Sequence, residues 1–149
     1  MNKQDRAKYP VFMKKRFKRQ FASLNKVFDF VNIFIQKNSI DKSVSFTLNL
    51  AIEELFTNMV KYSRESISDI SIDLAKKNST LIVTLIDFDV EPFDLTKSKE
   101  VDIKAHLKDR RVGGLGIHLV KKMVDKIDYE YKNRESKITF IMSLENNIV

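Results

Sequence analysis

The sequence predicts an α/β two-layer sandwich in which three helices lie on one face of a mixed, mostly antiparallel sheet. Apolar residues recur every three or four positions in three segments, which is the helix period, and alternate with polar residues in several others, which is the strand period. These segments follow one another as strand, helix, helix, strand, strand, long connection, helix, strand and strand. With 149 residues, 43% of them hydrophobic and 32% charged, the chain fits one domain over residues 1–149 that begins with a flexible tail over residues 1–10.

The N-terminal half consists of a basic strand followed by two amphipathic helices. Residues 11–22 are predicted to form an edge strand, and Ser23 is a suitable N-cap for the first helix. Asp41 or Ser43 is a suitable N-cap for a second, longer helix. The apolar positions of the two helices, at offsets of three and four, are Leu24, Val27, Phe28, Val31 and Ile35, then Leu48, Ala51, Ile52, Leu55 and Met59.

The C-terminal half is predicted to contain four strands and one helix. Residues 70–74 and 81–86 form a hairpin around the turn 76–78. The nearly continuous apolar run in the second of these strands indicates a central strand that is covered on both faces, or covered on one face and in contact with a second copy. Residues 91–111 lack a regular period, and connections of this length are often functional lids. Residues 116–125 have the spacing of a third helix, and two alternating strands close the chain.

Composition and charge exclude several classes of protein. Because the chain has no Cys, it has no disulfide scaffold, thiolate metal site or thiol nucleophile, which suits a reducing cytoplasm. It shows no signal-peptide pattern and no apolar stretch long enough to span a bilayer, so we expect a soluble, cytoplasmic protein. The net charge of +7 attracts nucleic acid, anionic membranes, nucleotides or an acidic protein, and does not distinguish among them.

A polar stripe on the second helix is the first candidate for chemistry. Glu54 and Asn58 are four residues apart, so their side chains share one helix face with Thr57 and Lys61. A carboxylate beside a carboxamide suits a hydrated Mg²⁺, and the carboxylate is also a candidate base for a nucleophilic hydroxyl. Taken alone, a solvated helix face is the simpler explanation of the stripe.

Two further segments lie at the ends of predicted elements. Asp87 follows the apolar strand, where its carboxylate can accept a hydrogen bond from an exocyclic amine such as that of adenine. All three glycines lie within residues 113–116, just before the third helix, where backbone N–H groups and the helix N-terminus suit a phosphate. Arg110 adds a charged donor to this segment. A strand that ends in a polar loop and a glycine-rich turn are the structural alternatives.

Together these segments resemble the anti-sigma regulatory factors, serine/threonine kinases of the ATPase superfamily that includes histidine kinases, gyrase and MutL. The segment AIEELFTNMVKYS is similar to the family's helix that carries the catalytic glutamate and the Mg²⁺-binding asparagine. The segment RVGGLGIHLVKKMVD is similar to the family's second glycine box. The resemblance extends from about Phe17 to Leu144 and implies the Bergerat-type ATP-binding fold.

The resemblance also implies a role for each matching residue. Glu54 would be the catalytic base, and Asn58 would bind the Mg²⁺ that bridges the phosphates of ATP. Asp87 would accept the adenine amine, and Thr139, in the segment KITFIMSL, would assist it through water. The phosphate-binding residues would be Arg110, Gly113, Gly114, Leu115 and Gly116.

Protein partners follow from the same resemblance. The chain would sequester a sigma factor and phosphorylate a STAS-type anti-sigma-factor antagonist on serine. It would act as a homodimer without direct contact to nucleic acid or membrane. One position departs from the family: the first glycine box has the pattern Asp-x-Gly-x-Pro-Phe-Asp, and here Asp89 stands at the glycine, with one extra residue before Pro92.

This departure leaves two other hypotheses open. In the first, the chain is a non-catalytic partner-switching module, because the Asp89 side chain crowds the nucleotide and its charge opposes phosphate. In the second, it is a basic nucleic-acid binder whose Phe12, Phe17 and Phe21 alternate with Lys and Arg as a stacking platform. The nucleic-acid hypothesis leaves the glycine cluster and the Glu54–Asn58 pair unexplained.

Overall fold

The computed structural model describes residues 11–94, 96 and 115–145, which form five strands and three helices. The strands are β1 (Val11–Phe17), β2 (Ile70–Lys77), β3 (Thr80–Phe88), β4 (Lys126–Lys132) and β5 (Glu135–Ser143). The helices are α1 (Leu24–Lys37), α2 (Lys42–Tyr62) and α3 (Leu115–Met123), and a 3₁₀ turn at Phe21–Ser23 precedes α1. The expected tail over residues 1–10 and most of the expected lid lie outside the described residues.

The five strands form one sheet in the order β1-β2-β3-β5-β4, and every neighbouring pair is antiparallel. The predicted α/β two-layer sandwich is confirmed, whereas the expectation of a mixed sheet is wrong for the described strands. The connection that contains α3 makes β3 and β4 run in the same direction. They are never neighbours, however, because β5 lies between them and pairs antiparallel with both.

One face of the sheet and the three helices enclose the hydrophobic core. Burial alternates along β3, so this central strand is buried on one face and half-buried on the other, and is not covered on both faces. The fully buried core residues of the sheet include Ile70, Ile72, Leu74, Leu81, Leu85 and Phe140. Those of the helices include Val27, Val31, Leu48, Ile52, Leu55 and Phe56.

The predicted helix faces are largely correct, with one difference in α1. All five residues predicted to be buried in α2 are buried. In α1 the aromatic residues that fill the core are Phe30 and Phe34, while Phe28 is only half-buried. Phe17 stacks edge-on against Phe30 and Phe56, at centroid distances of 5.6 and 6.5 Å. This aromatic cluster joins the edge strand to both helices.

The ends of the first elements differ from the sequence prediction. The Asp41 carboxylate caps α2 by accepting from the backbone N–H of Val44, as predicted, and this bond lowers the pKa of Asp41. Strand β1 ends at Phe17 instead of residue 22. Ser23 makes no side-chain cap, because the 3₁₀ turn before α1 directs its hydroxyl to the carbonyl of Lys18.

No helix among the described residues is long and apolar enough to cross a membrane.

Candidate functional site

A cleft opens between the C-terminal end of α2, the end of β3 and the start of β5. Its enclosed space is small, about 10 Å³, and the cleft is open to solvent. Its lining residues are Asn58, Met59, Tyr62, Ser63, Asp87, Phe93, Ser136 and Ile138. The cleft thus brings together Asn58 and Asp87, two predicted site residues that are far apart in the sequence.

Asn58 is the most unusual polar residue of this cleft. Its side chain is 1% exposed, and neither Oδ1 nor Nδ2 has a hydrogen-bond partner within the described part of the chain. A buried amide without partners is costly, and native structures seldom keep one without a function. The Oδ1 atom is an oxygen ligand of the kind that Mg²⁺ prefers, so this residue fits the cation predicted for it.

Glu54 lies one helical turn before Asn58 and is half-buried. Burial raises the pKa of the Glu54 carboxyl, while the nearby charge of Lys61 acts in the opposite direction. A carboxylate whose pKa is raised in this way is a stronger base than a fully solvated one. The proposed catalytic residue therefore has an environment that suits proton transfer.

Gly116 lies in α3 where that helix contacts the side chain of Glu54. A Cβ built on Gly116 would come closer than 3.0 Å to the carboxyl group of Glu54. The glycine thus lets α2 and α3 approach with a carboxylate between them. Leu115 is the first residue of α3, and the other predicted phosphate-binding residues, Arg110, Gly113 and Gly114, lie outside the described residues.

Asp87 is buried, with 2% of its side chain exposed, and forms an ion pair with Arg19, whose side chain is 6% exposed. The Oδ1 atom of Asp87 accepts from Nη2 of Arg19. Burial raises the pKa of Asp87. The bond and charge of Arg19 and a bond from Ser63 oppose this shift, and Glu65 adds to it. The Asp87 carboxylate therefore lines the cleft while Arg19 and Ser63 hold its position.

Thr139 does not lie beside Asp87, which corrects the sequence-based placement. Strand β5 is in register with β3 so that Asp87 is opposite Ser136, and Thr139 is opposite Thr84. Because side chains alternate along a strand, residues three apart face opposite sides of the sheet. The Thr139 hydroxyl lies 3.4 Å from that of Thr84 on the face away from the helices. Ser136 therefore occupies the position expected of Thr139.

Asp89, which stands where the family has glycine, adopts the left-handed conformation with φ of 55°. Asp tolerates this conformation better than most residues with a side chain. Its carboxylate accepts from Nε of Arg134 at 2.9 Å, and Nη1 of Arg134 donates to Glu91 at 3.0 Å. The Asp89 side chain is 58% exposed. It is therefore turned outward and paired with a cation, so it does not enter the cleft.

Two tyrosines of β4 hold the segment that follows β3. The Tyr131 hydroxyl donates to the carbonyl of Val90 at 2.8 Å, and the Tyr129 hydroxyl accepts from the N–H of Phe93 at 3.2 Å. Val90 is fully buried. These contacts place Phe93 at the cleft, where its ring lies 5.7 Å from that of Tyr62.

Several residues that build the cleft were missed in the sequence: Arg19, Ser63, Tyr129, Tyr131, Arg134 and Ser136. Each acts through a partner on a different element. Period-two alternation counted back from Phe140 would have placed Ser136 on the helix-covered face. No local pattern marks Arg19 among the other basic residues of the N-terminal segment.

The family resemblance implies ATP as the ligand, and replacing Asp89 by Gly is expected to leave the affinity for ATP within about threefold of the wild-type value. The ion pair that is lost is exposed to solvent and contributes little, and glycine accepts the left-handed conformation. Calorimetric titration of ATP into both proteins measures the difference. A gain of tenfold or more in the variant would instead mean that Asp89 obstructs the site.

Comparison with known proteins identifies one family. A family model described as the histidine kinase-like ATPase domain matches residues 17–142, which is most of the chain. A search of curated proteins gave no significant match.

Solved structures share the fold at low sequence identity. The RsbU and RsbW domains of a Mycobacterium tuberculosis protein match with a TM-score of 0.66 at 11% identity, over 89% of this chain and 32% of that one. A chain of the SiaB–SiaC complex from Pseudomonas aeruginosa matches with a TM-score of 0.64 at 13% identity, over 93% of this chain and 93% of that one. The histidine kinase AdeS of Acinetobacter baumannii matches with a TM-score of 0.51 at 16% identity, over 91% of this chain and 70% of that one. This chain thus spans about a third of the Mycobacterium chain.

Proposed function

The chain belongs to the histidine kinase-like ATPase domain family, and from this premise we propose that it is an ATP-binding anti-sigma factor that phosphorylates an antagonist protein on serine. The proposed partners are a sigma factor and a STAS-type anti-sigma-factor antagonist, and the proposed working form is a cytoplasmic homodimer. Two structures of the same fold support a protein partner, since one contains an RsbW domain and the other is SiaB in complex with SiaC.

The observation that carries the proposal is the buried amide of Asn58 without a partner, in the same cleft as the carboxylate of Asp87. An amide oxygen for a cation and a carboxylate for an amine are two of the contacts that an adenine nucleotide with Mg²⁺ needs. When bound, Mg²⁺ would neutralise charge on the phosphates, and Asn58 Oδ1 is the atom available to hold it.

The other residues have roles that follow from their positions. Glu54 would accept the proton of the attacking serine hydroxyl, because its carboxylate is half-buried and one turn from Asn58. Asp87 would accept the exocyclic amine of adenine, with Ser136 opposite it. Gly113, Gly114, Leu115 and Gly116, with Arg110, remain the proposed phosphate-binding segment. Catalysis of phosphoryl transfer is mostly positioning and charge neutralisation, which this division of roles provides.

Calorimetric titration of ATP and ADP, with and without Mg²⁺, tests the nucleotide site. The wild-type protein is expected to bind both nucleotides, with higher affinity when Mg²⁺ is present. Asp87→Asn is expected to lose most of this affinity because one oxygen acceptor becomes a donor. Asp128→Asn is the matched control, since Asp128 is exposed on the edge strand β4.

The same titrations also test the alternative that the chain is a non-catalytic partner-switching module. Circular dichroism must show that Asp87→Asn is folded, because the substitution also disturbs Arg19. If the wild-type protein binds neither nucleotide at millimolar concentration, the ATP-binding proposal fails and a partner-switching module without nucleotide is supported. The outward orientation of Asp89 favours the ATP-binding form, since the side chain that would obstruct the site is turned away.

A further inference from the structure

Arg19 has more buried contacts than its place in a basic segment would predict. Its side chain is 6% exposed and lies between β1 and the 3₁₀ turn. Nη2 donates to Asp87, Nη1 to the carbonyl of Met59 at 3.2 Å, and Nε to the carbonyl of Ser68 at 3.2 Å. One guanidinium therefore joins the end of β3, the last turn of α2 and the loop that follows α2.

Two of the three acceptors of Arg19 belong to residues that line the cleft. Met59 and Asp87 line it, and Ser68 belongs to the loop that begins with the lining residue Ser63. Arg19 is not among the lining residues, so it holds Asp87 without filling the space where a ligand would lie. The guanidinium fork has the geometry to hold several oxygen acceptors at once, which an ammonium group does not have.

We propose that Arg19 is a positioning residue that sets the base preference of this nucleotide site, favouring purines with a 6-amino group over purines with a 6-oxo group. The inference rests on the proposed function of the cleft. An ionised carboxylate is only an acceptor, so it accepts an amine and repels a carbonyl oxygen. A protonated carboxyl group can also donate, and it loses this discrimination.

The surroundings of Asp87 explain why Arg19 is needed. The ionisable groups that act on Asp87 within the described residues are Arg19 and Glu65, and Tyr62 lines the same cleft. Glu65 and burial both raise the pKa of Asp87, and Arg19 supplies the opposing charge. Without Arg19, the carboxyl group would be protonated at higher pH, and its orientation would depend on the Ser63 hydroxyl alone.

The test compares the binding of ADP and IDP, which differ at the 6-position of the base, by calorimetry at pH 6.5, 7.5 and 8.5. Wild-type protein is expected to prefer ADP by about tenfold or more at all three values, as for one charged hydrogen bond. Arg19→Gln is expected to lose more of this preference at pH 6.5 than at pH 8.5, because a larger fraction of Asp87 is protonated at the lower pH. Arg16→Gln, an exposed arginine three residues away, is the matched control and should behave as wild type.

The outcomes separate this inference from the proposed function. If wild-type protein binds neither ADP nor IDP, the proposed nucleotide site fails, and the inference fails with it. If wild-type protein binds ADP and Arg19→Gln keeps the full preference at pH 6.5, only the role of Arg19 is overturned. Should Arg19→Gln not fold, Arg19→Lys decides the question: it keeps the charge but not the fork, so at least part of the preference for ADP is expected to remain at pH 7.5, and complete loss of that preference contradicts the inference.

Discussion

Replacing Glu54 by Gln is expected to slow phosphoryl transfer by about 10²–10⁴-fold, because the variant has no carboxylate to accept the serine proton. Nucleotide affinity should stay within about threefold, since Gln keeps the shape that packs against Gly116. Transfer from labelled ATP to a STAS-type antagonist measures the first quantity, and calorimetric titration of ADP measures the second. Glu53→Gln is the matched control, because Glu53 is the adjacent half-buried carboxylate of the same helix.

The pH dependence of the wild-type rate provides an independent check on Glu54. A general base acts in its ionised form, so the rate should fall as the pH drops through the pKa of Glu54. Since burial raises that pKa above 4.5, the acidic limb of the profile should lie above the value for a solvated glutamate. Equal transfer rates in Glu54→Gln and wild type would remove Glu54 from the mechanism.

Replacing Asp87 by Ala is expected to lower the free energy of unfolding by about 3–5 kcal/mol, because it leaves the charge of Arg19 buried without its partner. The free energy of unfolding of a native domain is about 5–15 kcal/mol in total, so this loss is a large fraction of it. Urea denaturation followed by circular dichroism measures the change. Asp128→Ala, which breaks the exposed pair with Lys126, should cost less than about 1 kcal/mol.

A double variant tests the cause of this loss. If the unpaired charge is responsible, Arg19→Met combined with Asp87→Ala should recover part of the stability that Asp87→Ala loses alone. If the two losses simply add, the ion pair is not the reason. The same result bears on the nucleotide titrations, since a variant of Asp87 can lose affinity through unfolding as well as through the missing acceptor.

Much of the fold follows from patterns within single segments. The helical spacing of α2 predicts its buried face, and Asp41 caps that helix as expected. The alternation of β2, the apolar run of β3 and the turn between them predict their hairpin. Local physics governs these features, because a helix face and a strand face depend on residues only a few positions apart. For the same reason Glu54 and Asn58 were identified as a pair on one helix.

Tertiary structure decided the features that join distant segments. The register of β5 against β3 places Ser136 and not Thr139 opposite Asp87, and a shift of one residue would have turned Ser136 to the other face of the sheet. The left-handed turn at Asp89 directs a carboxylate outward to Arg134. Alternation along β5 indicates the face on which Ser136 lies. Its position opposite Asp87 and the outward turn of Asp89 follow from no sequence period, since both depend on contacts with other strands.

The sequence by itself therefore determined the layer architecture, the helix that carries Glu54 and Asn58, and the family resemblance. The packing of the tertiary structure determined the contacts between distant segments, above all the pairing of Arg19 with Asp87. In the sequence Arg19 is one cation among many, and it becomes distinct only when burial removes the water that would otherwise solvate both charges. A buried charge needs a partner, and the fold alone determines which residue is close enough to be that partner.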